Sequence, residues 1–172
     1  MITVSNTNFD EVKLIVPSIF EDHRGLYVET YNIEDYFRNN IKLNFVRDDI
    51  STSAKDVLRG LHYDDKTWKL IHCMYGKIYF VVCDMRKDSK QYLAWQAFIL
   101  TSNNRHQVLV PPGFANAHLV LSDQCIFHYK MSEYYDPENE KCVRWNDPKV
   151  NIYWPVSDPV LSEKDSKAKM LV

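Results

Sequence analysis

The sequence predicts an all-β fold, an antiparallel sandwich or barrel carrying one or two short helices. Two observations carry that expectation. The 172 residues include 11 tyrosines, 8 phenylalanines and 4 tryptophans but only 4 glycines, and aromatic and β-branched side chains suit the pleated, half-buried surface of a sheet. Short apolar segments also follow one another along the chain with turn residues between them, which is the spacing of an all-β domain.

In order, the strand-like segments are "VKLIVPSIF" (12–20), "RGLYVETY" (24–31), "LNFVRDDIS" (43–51), "VLRGLHY" (57–63), "LIHCMYG" (70–76), "KIYFVVCDMR" (77–86), "YLAWQAFIL" (92–100), "HQVLVPP" (106–112), "AHLVLSD" (117–123), "CIFHYKMS" (125–132) and "VNIYWP" (150–155). One helix is expected at "NIEDYFRNN" (32–40), where Asn32 can cap and Glu34 and Asp35 suit the positive N-terminal end. A second is expected at "SEKDSKAKML" (162–171). There is no internal repeat, low-complexity tract or linker, and the length suits one domain over residues 1–172.

Composition excludes several classes of partner. A formal net charge of -2 gives no electrostatic case for nucleic acid or an anionic membrane. No apolar run approaches the roughly 18 residues of a membrane span, and "MITVSNTNFDEVKL" has neither the basic nor the apolar region of a secretory leader. The expected location is therefore the cytoplasm. Cys73, Cys83, Cys125 and Cys142 form no C-x-x-C pair, and three of them sit in apolar runs, where thiols act as small hydrophobes.

Chemistry concentrates in a few segments. In "DVLRGLHYDD" (56–65) an arginine and a histidine interrupt an apolar strand. Strict alternation sends Arg59 and His62 to opposite faces, but a bulge at Gly60 would turn both into one cavity. The alternative is a histidine at the core edge and an arginine in solvent. In "CIFHYKMS", Cys125, Phe127 and Tyr129 share the face expected to be interior, so Tyr129 is either an anchored phenol or an acid aimed into a cavity. Lys69, beside Trp68, either reaches solvent or supplies a fixed positive charge. The six histidines contain no H-x-H or H-x-x-x-H pair, which argues against a metal held by paired strand histidines. G-x-S-x-G and the glycine-rich phosphate loops are absent.

Taken together, "FEDHRGLYVE", "VLRGLHY", "KLIHCMYGKIYFVVCDMR", "PPGFANAHLVLSD", "HYKMSEYYDPENE", "RWNDP" and "LSEKD" resemble, in order, the signatures of the RmlC family, the dTDP-4-keto-6-deoxyglucose 3,5-epimerases. The resemblance implies a cupin-type jelly roll and a homodimer that exchanges N-terminal strands. It also implies a nucleotide-diphosphate sugar as substrate, with no cofactor and no metal. His62 matches the general base, Asp165 the carboxylate that orients it, Tyr129 the acid on the opposite side and Lys69 the cation near the developing O4 oxyanion. Arg24, Glu29 and Arg59 match residues lining the nucleotide-sugar site, with Phe20, Tyr135 and Glu140 as further positions at its rim.

Two departures from the family pattern bear on specificity. "GFANAH" stands where the family reads G-F-A-H-G-F, so Asn116 replaces a histidine and His118 a phenylalanine. Loss of that ionisable group suggests an enzyme acting at C3 alone, unless His118 substitutes. "FVRDDIS" stands where members specific for dTDP read F-V-Q-D-N-H-S, which introduces Arg47 and Asp49. A carboxylate there can accept from guanine N1–H and N2–H₂. The expected activity is therefore epimerisation at C3, or at C3 and C5, of a GDP-linked 4-keto-6-deoxy-heptose of a capsule pathway. The alternatives are the dTDP-4-keto-6-deoxyglucose 3,5-epimerase, a 3,4-ketoisomerase, and a binding module without catalysis.

Overall fold

The computed structural model describes residues 1–171. Six strands form the first sheet, in the order β1 (Ile2–Asn6), β2 (Lys13–Pro17), β10 (Gln107–Val110), β7 (Lys69–Tyr75), β12 (Gln124–Met131) and β5 (Arg47–Ala54). Five form the second, in the order β13 (Lys141–Cys142), β6 (Leu58–Tyr63), β11 (Phe114–Val120), β8 (Lys77–Asp84) and β9 (Trp95–Thr101). All these pairings are antiparallel. The two sheets do not close on each other, so the predicted sandwich-or-barrel is an open two-sheet sandwich.

Alternation along the strands builds three apolar layers. Between the sheets, Ile71, Cys73, Val108 and Phe127 of the first meet Ile78, Phe80, Val82 and Val120 of the second. On the outer face of the second sheet, Leu58, Leu61, Val81 and Leu119 are covered by Val143, Val150 and Trp154 of the C-terminal segment. On the outer face of the first, Ile15, Leu70 and Leu109 are covered by Tyr36 and Ile41. Tyr36 belongs to α1 (Ile33–Arg38), whose cap Asn32 accepts from the Glu34 N–H as expected.

Five elements differ from the sequence reading. "VKLIVPSIF" divides into β2 and β3 (Ile19–Asp22), and among the described residues β3 pairs only with β4 (Gly25–Val28), in a separate two-stranded hairpin. "VNIYWP" forms no strand. It crosses the outer face of the second sheet with Val150 and Trp154 turned down onto it, and the indole N–H of Trp154 donates to the Trp145 carbonyl. Strands β1 and β13 were not anticipated, the first having only Ile2 and Val4 as apolar anchors and the second being only two residues long. The C-terminal helix is a single turn, α2 (Glu163–Ser166), capped by the Ser162 hydroxyl.

Candidate active site

At Gly60 strand β6 leaves regular alternation. Its φ is +127°, and a Cβ there would lie 2.5 Å from the Ala117 Cβ and 2.6 Å from the Asn116 carbonyl oxygen, so only glycine fits. The register with β11 shifts at this point: Asn116 pairs with His62 and His118 with Arg59. Three steps along β6 thus match two along β11, which is a bulge. The extra residue turns Arg59 and His62 to one face while Leu58 and Leu61 stay in the outer layer. The side-chain amide of Asn116 donates to the His62 carbonyl at 2.9 Å and ties the bulged strand to its neighbour.

Both residues open into a cavity of about 900 Å³ at one end of the space between the sheets. His62 enters from the second sheet. Tyr129 enters from the first, on the face of β12 that also carries Cys125 and Phe127. The carboxylate of Asp165, buried on α2, lies 2.6 Å from His62 Nε2. An Nε2–H donated to that carboxylate leaves the lone pair on Nδ1. Burial pushes the Asp165 pKa up, but hydrogen bonds from His62, Ser162 and the Gly60 N–H outweigh it, and the net direction is down. Asp165 is a fixed anion behind the imidazole.

Lys69, at the start of β7, turns inward and is 3.5 Å from the Asp64 carboxylate. Burial lowers its pKa against the opposing pull of Asp64. Asp64 itself is held below the usual carboxylate range: burial raises it, and the Lys66 and Thr67 N–H groups together with the Lys69 charge more than offset that. Burial, followed by the nearby Asp49 charge, raises the Tyr129 phenol, so it stays protonated.

The remaining candidates divide into two groups. Arg47, Asp49, Arg59, Asn116, His118, Tyr135 and Glu140 line the same cavity. Arg59 is steadied by Ser53 Oγ at 3.0 Å, and Arg47 Nε lies 3.1 Å from Asp49 Oδ2. Arg47 Nη1 is buried with no hydrogen-bond partner among the described residues. His118 is buried, stacks on Phe127 with ring centroids 4.0 Å apart, and leaves its Nε2 without a hydrogen-bond partner among the described residues. Burial, then the charges of Arg59 and His62, push its pKa down to about 3, so it is a neutral imidazole.

Phe20, Arg24 and Glu29 do not reach this cavity. They sit on or beside the exposed β3–β4 hairpin, where Arg24 pairs with Asp22 and Glu29 accepts from Asn32. Sequence reasoning in turn missed Asp64 and Cys142, whose thiol lies 3.8 Å from Asp165 Oδ1. For Asp64 a signal was present, since it stands two residues after His62 in the same strand pattern. For Cys142 there was none.

Residues 6–172 match the family model described as dTDP-4-dehydrorhamnose 3,5-epimerase. The chain belongs to that family. Similar proteins include the dTDP-4-dehydrorhamnose 3,5-epimerase of Methanothermobacter thermautotrophicus, 39% identical over 170 residues, with 96% of this chain and 92% of that protein aligned. Among solved structures, the Bacillus anthracis dTDP-4-dehydrorhamnose 3,5-epimerase with TDP and PPi bound superposes with a TM-score of 0.96 at 39% identity, covering 99% of this chain and 100% of that one. The Legionella pneumophila epimerase RmlC in complex with dTDP-4-keto-L-rhamnose gives 0.94 at 38% identity, covering 99% and 93%. The open sandwich is thus the RmlC cupin-like fold, and the protein is an isomerase-type enzyme, a nucleotide-sugar epimerase. Among the described residues no helix is long and apolar enough to cross a membrane.

Proposed function

We propose that this protein inverts C3 and C5 of a dTDP-linked 4-keto-6-deoxyglucose. One observation carries the reading: an imidazole backed by a buried carboxylate and a protonated phenol enter one cavity from facing sheets. The C4 ketone of such a sugar acidifies the hydrogens at C3 and C5. Inversion then needs a base on one side, an acid on the other and a cation for the enolate oxygen. His62 takes the proton, Asp165 holds the resulting imidazolium, and Tyr129 returns a proton from the opposite face. Lys69, its side chain largely buried, faces the developing O4 anion with its charge. Arg47 and Arg59 are placed to grip the diphosphate, with Tyr135 and Glu140 at the rim.

The relatives are named for dTDP sugars, which favours dTDP over the GDP-linked heptose expected from Asp49. A second reading keeps GDP on the strength of Asp49 alone, because its carboxylate lines the cavity. Only Oδ2 of that carboxylate faces Arg47, in an ion pair without a hydrogen bond, so the preference for dTDP rests on the relatives. A third possibility, action at C3 alone, rests on Asn116, whose amide ties down β6 where the family carries an ionisable ring. Phe20, Arg24 and Glu29 complete the site if the β3–β4 hairpin reaches into the cavity of a second copy. Strand β1 pairs with β2, and β2 with this chain's own β10, so the exchange in such a dimer concerns the hairpin.

The test is proton exchange. The purified protein is incubated in D₂O with dTDP-4-keto-6-deoxyglucose, and separately with a GDP-linked 4-keto-6-deoxy-heptose, and deuterium at C3 and C5 is followed by NMR. Exchange at both carbons of the dTDP sugar is expected. Exchange at C3 alone supports the Asn116 reading, and exchange only with the GDP sugar would overturn the nucleotide assignment.

A further inference from the structure

Next to the proposed base lies a group with no part in the proton transfers. Cys142 on β13 is the cross-strand partner of His62 on β6, and reciprocal bonds between Leu61 and Val143 lock that register. Its Sγ is 3.8 Å from Asp165 Oδ1, and the same oxygen is 2.6 Å from His62 Nε2. The three residues offer donor atoms that all lie within 4.8 Å of one another. A cation centred among them comes within roughly 2–2.5 Å of each, the range of zinc bonds to nitrogen, oxygen and sulfur, once the Nε2–Oδ1 pair opens from its hydrogen-bond separation of 2.6 Å. A cysteine, a histidine and an aspartate on three separate elements make a three-ligand set that leaves one tetrahedral position for a water or a substrate oxygen.

From this arrangement we infer that the protein has an inhibitory binding site for a thiophilic divalent cation such as Zn²⁺, made by His62, Cys142 and Asp165. The ion takes the place of the hydrogen now shared between Nε2 and Oδ1, the neutral imidazole carrying its one proton on Nδ1 instead, and the thiol gives up its proton to solvent on coordination. Because the imidazole is then a metal ligand and Asp165 no longer orients it as a free base, turnover stops. The site stands on geometry alone, whereas its effect on turnover rests on the assignment of His62 as base. Cys73, Cys83 and Cys125 are buried elsewhere in the sandwich and are kept in every variant as internal controls.

The experiment adds CoCl₂ alone to wild-type protein and to Cys142→Ser and Cys142→Ala, reading the thiolate-to-cobalt absorption, and titrates ZnCl₂ into the epimerase assay of each. The expected result is the absorption in wild type only. Both variants should keep their metal-free rate within a few-fold and need at least about tenfold more Zn²⁺ for half-inhibition. No cobalt–thiolate absorption in wild type, or equal zinc sensitivity in all three proteins, would overturn the site. Cobalt binding that depends on Cys142 while Zn²⁺ leaves turnover unchanged keeps the site and overturns His62 as the base.

Discussion

His62 and Tyr129 carry different halves of the proposed reaction, and single substitutions separate them. His62→Asn keeps a polar side chain of similar bulk but no base, so deuterium uptake should fall about 10²–10⁴-fold. Tyr129→Phe should retain uptake while inversion fails, because the proton is removed and then returned to the same face. NMR of the sugar in D₂O reads both, and wild-type exchange by His62→Asn would refute the base assignment. Lys69 links the site to pH. Burial sets its ammonium below an ordinary lysine and Asp64 pulls it back up, so Asp64→Asn removes that pull and lowers the pKa further. The alkaline limb of kcat/KM should then move to lower pH. A pH–rate profile that leaves the limb in place would detach Lys69 from turnover.

Strand β6 shows how one element converts sequence into site. Gly60→Ala places a methyl against the Ala117 side chain and the Asn116 carbonyl at positive φ, neither of which can give way, so a loss on the order of 2–4 kcal/mol is expected. Gly25→Ala is the control: its φ is +118° with nothing within 4 Å, and only backbone strain remains. Urea midpoints compare the two, and equal losses would show that the bulge tolerates a side chain. This bulge was legible because arginine and histidine could face one way only if glycine broke the alternation. Most strands were legible for a similar reason, since period-two burial writes itself into apolar spacing. "VNIYWP" misled because a segment lying across a sheet needs the same spaced apolar anchors as a strand within it. The hairpin residues Phe20, Arg24 and Glu29 were found by resemblance, and nothing in their spacing says that they stand outside this chain's own cavity. The contact of Cys142 with Asp165 depends on a two-residue pairing and one helical turn, too short to leave a periodic trace.

At the scale of the whole molecule, burial of histidines ties the fold to pH. His118 is held down to about 3 by burial and by Arg59 and His62, and His72 down to about 4 by burial and by His128 and Arg105. Both are neutral in the folded chain and take a proton near pH 6.5 when unfolded. Their contribution to stability is therefore complete above about pH 6.5 and is lost as pH falls toward 3–4, by at most about 1.4 kcal/mol per unit for each group. Urea midpoints should fall below pH 6, and less steeply in His118→Phe; parallel slopes would contradict the neutral-histidine account. The hairpin poses the larger question of which cavity it serves. Its strands are exposed and pair with nothing else among the described residues, yet Phe20, Arg24 and Glu29 resemble residues that line a nucleotide-sugar site in the family. If the hairpin completes the site of a second copy, a dimer of Arg24→Ala with His62→Asn contains one site built wholly from intact parts, the cavity from the first chain and the hairpin from the second. Two nearly inactive proteins, unfolded and refolded together in equal amounts, should then recover about a quarter of wild-type activity, since half the dimers are mixed and each carries one working site. If each hairpin serves its own cavity, every site in the mixture keeps a defect and no activity returns.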